Sequence, residues 1–168
     1  MTNIEIMEQA LPVAPLKIAA LESCRKLGEK VDNYIVKFRQ ESLNDFLDPE
    51  IYSSYKADSY LAKSSCPRFG SGEAKGIFGE SIRGKDLFIM VDVCNYSLTY
   101  NVNGHLNHMS PDDHYQDLKR IISASTGKAH RLNVIMPFLY EGRQHKRTKR
   151  ESLDCALALE ELVEMGRS

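Results

Sequence analysis

With 168 residues, 42% of them hydrophobic, the chain has apolar material for one compact core and too little length for two substantial domains. A formal net charge of −1 removes any global pull toward nucleic acid or an anionic membrane. The four cysteines, Cys24, Cys66, Cys94 and Cys155, stand far apart with no C-x-x-C pair, against a zinc ribbon or a small disulfide framework.

Residues 1–15, with two prolines and no sustained period, read as an N-terminal arm, and their Glu5 and Glu8 do not suit a secretory leader. No segment is apolar for long enough to span a bilayer, so a cytoplasmic protein with reduced thiols is expected. Leu16–Ala20 is a short buried strand. Cys24, Leu27, Val31, Ile35 and Phe38 then recur at spacings of three and four, the pattern of an amphipathic helix. Residues 41–67 mix Asn-Asp, Asp-Pro, Ser-Ser and Cys-Pro pairs with scattered aromatics and predict irregular chain with short helical pieces.

Between Gly70 and Gly84, five glycines punctuate short strands at a turn. Asp86–Val93 is the strongest strand in the chain, apolar at nearly every position and so covered on both faces. Asn95–Met109 reads as a Gly/Asn/His-rich loop. Ser110-Pro111-Asp112-Asp113 starts a helix, with proline in the first turn and acids at its positive end. Leu118, Ile121, Ile122 and Ser125 form its inward face and Gly127 its end. Arg131–Met136 is another buried strand, and after a cationic loop a helix from about Ser152 to Met165 presents Leu153, Ala156, Leu159, Leu162 and Val163 before Gly166. Strands alternating with helices predict an α/β fold, a mostly parallel sheet flanked by helices, over a single domain 16–168. In such an alternation another strand is due after Gly166, so the pattern reads as breaking off.

Two segments carry chemistry. Tyr140–Arg150 holds Arg143, Lys146, Arg147, Lys149 and Arg150 against a single acid, Glu141. Directly after a buried strand, where ligands sit in open α/β sheets, such a loop suits a phosphate-bearing ligand; a solvated basic loop or nonspecific RNA contact fits the same composition, although no aromatic interleaving accompanies the charge. Arg68-Phe69-Gly70-Ser71-Gly72-Glu73 offers close backbone approach, an aromatic face and a carboxylate, the parts of a nucleobase site, or else a glycine turn with Phe69 in the core. Of the five histidines, His105, His108, His114, His130 and His145, each reads as a surface or loop residue; His105 and His108 alone have a chelating spacing, without a third ligand. Neither Cys66 nor Cys94 has a partner base marked in the sequence.

Taken in order, Arg68–Glu73, Glu80–Ile89, Leu132–Pro137, Arg143-Gln144 and Arg150-Glu151 with the apolar helix to Gly166 resemble the N-terminal domain of ribose-phosphate pyrophosphokinases, a phosphoribosyltransferase-like domain. The resemblance implies Mg2+-dependent transfer of diphosphate from ATP to the C1 hydroxyl of ribose 5-phosphate, in an oligomeric enzyme. It implies ATP contact by Arg143 and Gln144, an adenosine-holding turn of Phe69, Ser71, Gly72 and Glu73 reaching a neighbouring subunit, and a mobile loop of Lys146, Arg147, Lys149 and Arg150. Metal ligands and the ribose 5-phosphate grip belong to the family's later segments, so no catalytic or metal residue is expected in this chain, and the isolated chain is expected to be inactive. The departures are Ser71 in place of the family's aspartate, His145 after the Arg-Gln pair, and longer connections at 39–67 and 95–110. A catalytically silent regulatory or assembly subunit is the alternative.

Overall fold

The computed structural model describes residues 12–41 and 55–167; the arm as far as residue 11 and residues 42–54 of the irregular stretch lie outside them. Three strands, β1 (Leu16–Ala20), β4 (Asp86–Met90) and β7 (Arg131–Ile135), form a parallel sheet in the order β1-β4-β7. Ile18 is in register with Phe88 and Phe88 with Asn133. Two antiparallel pairs flank the sheet: β2 (Ser64–Ser65) with β3 (Ile77–Phe78), and β5 (Thr99–Val102) with β6 (His105–His108). The helices are α1 (Arg25–Glu41), α2 (Pro111–Ser125) and α3 (Asp154–Arg167).

The central strand explains the architecture. Successive side chains of β4 point to opposite faces, and both faces are covered, so apolar residues occupy both sets of positions. Leu87, Ile89 and the following Val91 pack with Leu118, Ile121 and Ile122 of α2, a layer that α3 joins through Ala158. Met90 turns the other way, into a smaller cluster with Ile18, Cys24 and Tyr60 that takes in Val31 and Ile35 of α1. Helices thus cover both faces of a parallel sheet, the expected α/β fold.

The helix start at Ser110 is a capping box. The Ser110 hydroxyl accepts from the Asp113 N–H at 3.1 Å, and the Asp113 carboxylate accepts from the Ser110 N–H at 2.8 Å. All four residues expected on the inward face of α2 are buried, joined by His114, Tyr115 and Asp117.

Four expectations are corrected. The inward face of α1 is Gly28, Val31, Asp32 and Ile35, while Leu27 and Phe38 are 44% and 42% exposed. Cys24 belongs to a preceding 3₁₀ turn, Glu22–Cys24, whose three-residue period shifts the helical phase after it. The 95–109 loop contains a β-hairpin, because Asn103-Gly104, at φ 48° and 84°, supplies the two left-handed residues of a tight turn. β7 is an edge strand, with Val134 and Ile135 more than a third exposed. In α3 the buried residues are Cys155 and Ala158, with Leu162 and Met165 partly covered, whereas Leu159 and Val163 face outward and Gly166 lies within the helix. An apolar stripe on two sides of α3 left its phase ambiguous from sequence.

Candidate functional site

The segment after β7 is shaped by one aromatic stack. Tyr140 lies on Tyr115 of α2 with ring centroids 4.2 Å apart, its hydroxyl donates to Asp112 at 2.7 Å, and its N–H donates to the Met136 sulfur. Burial and the Asp112 carboxylate both push the Tyr140 hydroxyl pKa upward, so it remains a donor. Glu141 then adopts a left-handed backbone at φ 55°, uncommon for a residue with a side chain, and a single 3₁₀ turn, Gly142–Gln144, follows. Arg143 is exposed and Gln144 half-buried at that turn.

Beyond it Lys146, Arg147, Lys149 and Arg150 are all exposed. None of the four, nor Arg143, has an ion-pair partner among the described residues. The loop is instead closed by Glu151, which accepts from the Thr148 N–H at 3.1 Å and from its hydroxyl, and by Lys149 at φ 58°. The result is an anion-seeking loop at the carboxyl end of a parallel strand, with its cations free to meet a polyphosphate.

The glycine turn is the second part. The Phe69 N–H donates to Glu73 O at 2.7 Å and the Gly72 N–H to Phe69 O at 2.9 Å, while Arg68 and Ala74 bridge its base. Gly72 sits at φ +90°, where a Cβ would also meet Val102 at 2.9 Å. Phe69 is 52% exposed, which removes the reading of it as a core residue. Ser71 donates to Glu73 at 2.8 Å, so the hydroxyl that replaces the expected carboxylate is engaged within the turn.

Arg68 anchors the turn. Its guanidinium donates to Asp117 at 2.8 Å, reaches Gly72 O at 3.4 Å and lies 4.7 Å from the Tyr100 ring centroid. Asp117 also accepts from Arg120 at 2.6 Å. Burial holds the Asp117 carboxyl above its ordinary range against the pull of both arginines. Behind the turn lies a cavity of about 270 Å3, lined by Ser64, Cys66, Arg68, Tyr100, His114 and Asp117 among others. The Cys66 thiol contributes no nucleophile: burial, with Asp117 adding to it, pushes its pKa to about 12, and it donates to the Asp117 carbonyl at 3.7 Å.

The structure therefore gathers Phe69, Ser71, Gly72 and Glu73 in one turn, and Arg143, Gln144 and the four cations in one loop. No described hydrogen bond or ion pair joins the two. What they share is the N-terminal half of α2, which holds the turn through Asp117 and the loop through Asp112 and Tyr115. Asp117, Tyr115 and Tyr100 carry no mark of this role in the sequence, where Asp112 reads as a helix-start acid and Tyr140 as the first residue of the cationic loop, and only the i, i+3 spacing of Asp112 and Tyr115 hints at a common side. His114, expected at the surface, is buried, with Nε2 2.8 Å from Asn95 O. His105 and His108 are exposed on β6, and their offset of three puts them on opposite faces of the strand. Among the described residues no group of three or more His, Cys, Asp or Glu side chains is placed to hold a metal, and none of the described helices is long and apolar enough to cross a membrane.

Comparison with known proteins places this geometry in context. The N-terminal domain of ribose phosphate pyrophosphokinase, as a family, matches residues 16–166. A curated relative, ribose-phosphate pyrophosphokinase B of Dictyostelium discoideum, is 32% identical over 91 residues, 54% of this chain and 24% of that protein. The crystal structure of phosphoribosylpyrophosphate synthetase from Mycobacterium smegmatis superposes with a TM-score of 0.58 at 19% identity, covering 89% of this chain and 40% of the other. The chain thus spans well under half the length of both.

Proposed function

Because this chain belongs to the family of N-terminal domains of ribose-phosphate pyrophosphokinases, we propose that it forms the ATP-binding part of a ribose-phosphate diphosphokinase. In that reaction the C1 hydroxyl oxygen of ribose 5-phosphate attacks the β-phosphorus of ATP and the bond from that phosphorus to the α,β-bridging oxygen breaks. AMP leaves, the hydroxyl proton is released, and phosphoribosyl pyrophosphate forms for nucleotide biosynthesis. Such chemistry asks the protein mainly for positioning and charge stabilisation.

The observation that carries this reading is the cationic loop after β7, with Arg143 and Gln144 opening it on a Tyr-clamped turn and its five cations without an ion-pair partner among the described residues. Arg143 would fork onto phosphate or stack on the base, and Gln144 would read a base edge. Phe69 would offer a stacking face and Glu73 an acceptor, with Ser71 and Gly72 shaping the turn between them. Lys146, Arg147, Lys149 and Arg150 would screen the phosphates. Mg2+ belongs to the proposal as the companion of ATP; the described residues contain no cluster fit to hold it, and its ligands are assigned to no residue of this chain. An oligomeric, cytoplasmic enzyme completes the reading.

Titration with Mg-ATP while following tryptic cleavage between Arg143 and Arg150 tests it. Saturable protection by ATP, and none by an equal concentration of inorganic sulfate, is expected; cleavage indifferent to ATP would refute it. The engagement of Ser71 by Glu73 favours a second reading, a regulatory or assembly subunit without turnover. Mixing the chain with an active family member separates the two: an altered oligomer without nucleotide protection of the loop supports the second.

A further inference from the structure

The hairpin of β5 and β6 is the element that the resemblance leaves unexplained, since it occupies the connection that is longer than the family's. Its position relative to the glycine turn is specific. The inward residues of β5 are Tyr100 and Val102, and both meet the turn: Tyr100 under the Arg68 guanidinium, Val102 where a Cβ on Gly72 would lie. In a two-residue hairpin turn the first N–H finds no partner within the hairpin. Here that N–H, on Asn103, donates to Gly70 O at 2.9 Å. The hairpin is in turn tied to α2 by the Tyr100 hydroxyl, which donates to Asp113 at 3.2 Å, and its own base is closed by the Met109 N–H on Leu98 O.

Phe69, by contrast, has half its surface in solvent. The direction of its ring is therefore set by the backbone of the turn, and the outer supports of that backbone come from the hairpin. We infer that the β5–β6 hairpin is a positioning brace for the Phe69–Glu73 turn, with Tyr100 and Val102 as its working residues, and that it sets the affinity of the turn for a nucleotide base. The second half of this statement rests on the ATP-binding reading above; the first does not.

The chain contains no tryptophan, so Phe69→Trp installs a single reporter at the site in the full 168-residue protein. Acrylamide quenching of Trp emission without nucleotide reads the brace directly. Adding Val102→Ala or Tyr100→Leu is expected to raise the quenching constant at least twofold, while Leu106→Ser, on the outward face of the hairpin, leaves it unchanged. Thermal melts identify which variants fold, and Val102→Ala, a truncation at a half-buried position, keeps the comparison available if Tyr100→Leu does not. Quenching in folded Val102→Ala equal to that of the parent overturns the brace. Mg-ATP titration of the same emission is expected to show affinity at least tenfold weaker in the brace variants. A parent reporter that does not respond to ATP refutes the nucleotide reading and leaves the quenching comparison to decide the brace.

Discussion

Tyr140 lies on Tyr115 with its ring plane 6° from parallel and its hydroxyl on Asp112, so the loop that follows β7 is clamped to the first two turns of α2. The stack contributes about 0.5–1.5 kcal/mol beyond the area it covers, and the hydroxyl bond about 1 kcal/mol. Tyr140→Phe is expected to lose about 1 kcal/mol in denaturant unfolding and to leave tryptic cutting at Lys146–Arg150 nearly unchanged. Tyr140→Ala is expected to lose ~2–3 kcal/mol and to speed that cutting, since the 3₁₀ turn loses its platform. Equal cutting rates in Tyr140→Ala and the parent would show that the clamp does not order the loop.

Asp117 holds two guanidiniums in a half-enclosed place: its side chain is 11% exposed, and those of Arg68 and Arg120 are 13% and 18% exposed. Removing one partner of a buried pair leaves uncompensated charge and costs about 3–5 kcal/mol. Asp117→Ala should therefore cost more than Arg120→Ala, because the aspartate deletion orphans two cations and the arginine deletion leaves the Arg68 pair intact. A double-mutant cycle between Arg68 and Asp117 is expected to give a coupling of at least ~1 kcal/mol; additive effects would mean that Tyr100 and Gly72 O alone hold Arg68.

Two neighbouring aspartates of α2 shift in opposite directions and act on acid stability with opposite sign. At Asp113 burial works against the charged form, but the Ser110 N–H and hydroxyl and the Tyr100 hydroxyl outweigh it and lower the pKa below the ordinary 3.8. The unfolded chain then binds that proton more tightly, so the capping contribution is complete above pH ~4 and is lost as the pH falls through the lower native value. Asp117 shifts the other way and gains native stability on protonation over the window just above 3.8. Asp113→Asn should cost about 1 kcal/mol at neutral pH and flatten the loss of stability below pH 4. An acid limb identical to that of the parent would remove Asp113 from the cause.

The three strands and the helix start at Ser110 were legible because each rests on local pattern: Asp86–Met90 is apolar at nearly every position, and Ser110 is followed by a proline and two acids in the first turn. The cationic loop was legible because five cations within eight residues face a single acid, Glu141, in its own sequence. The hairpin was hidden by reading Asn103-Gly104 as loop composition although it is the strongest short hairpin signal. Asp32, buried to accept from Tyr60 N–H and the Ser59 hydroxyl at 2.7 and 2.8 Å, could not be read at all, because its partners lie 27 and 28 residues away. The Arg68–Asp117 pair is separated by 49 residues and was invisible for the same reason.

Gly28 sets how closely α1 approaches the sheet. A Cβ there would stand 2.3 Å from the Ala20 Cβ, a short side chain fixed on β1 that cannot swing aside. Alanine gains about 1 kcal/mol of helix propensity over glycine, but overpacking costs about 1–3 kcal/mol, more where no flexible atom can yield. Gly28→Ala is thus expected to destabilise by ~1–2 kcal/mol net, and Gly28→Ala with Ala20→Gly to recover part of it. A stabilised single variant would mean that α1 shifts away from β1 at little cost.

Arg143 separates point charge from shape. If its role in the proposed ATP site were only to add positive charge to a loop that already carries four other cations, Arg143→Lys would bind Mg-ATP as the parent does and Arg143→Ala only slightly less well. A planar guanidinium forking onto phosphate or stacked on a base is not replaced by an ammonium. Arg143→Lys and Arg143→Ala are therefore both expected to weaken ATP protection of the loop about tenfold or more, close to 1.4 kcal/mol. Lys146→Ala, at an exposed position of the loop, is expected to lose less than threefold and to show a reduced salt dependence. Isothermal titration at two ionic strengths distinguishes these outcomes, and retention of parent affinity by Arg143→Lys would reduce Arg143 to one more cation of the loop.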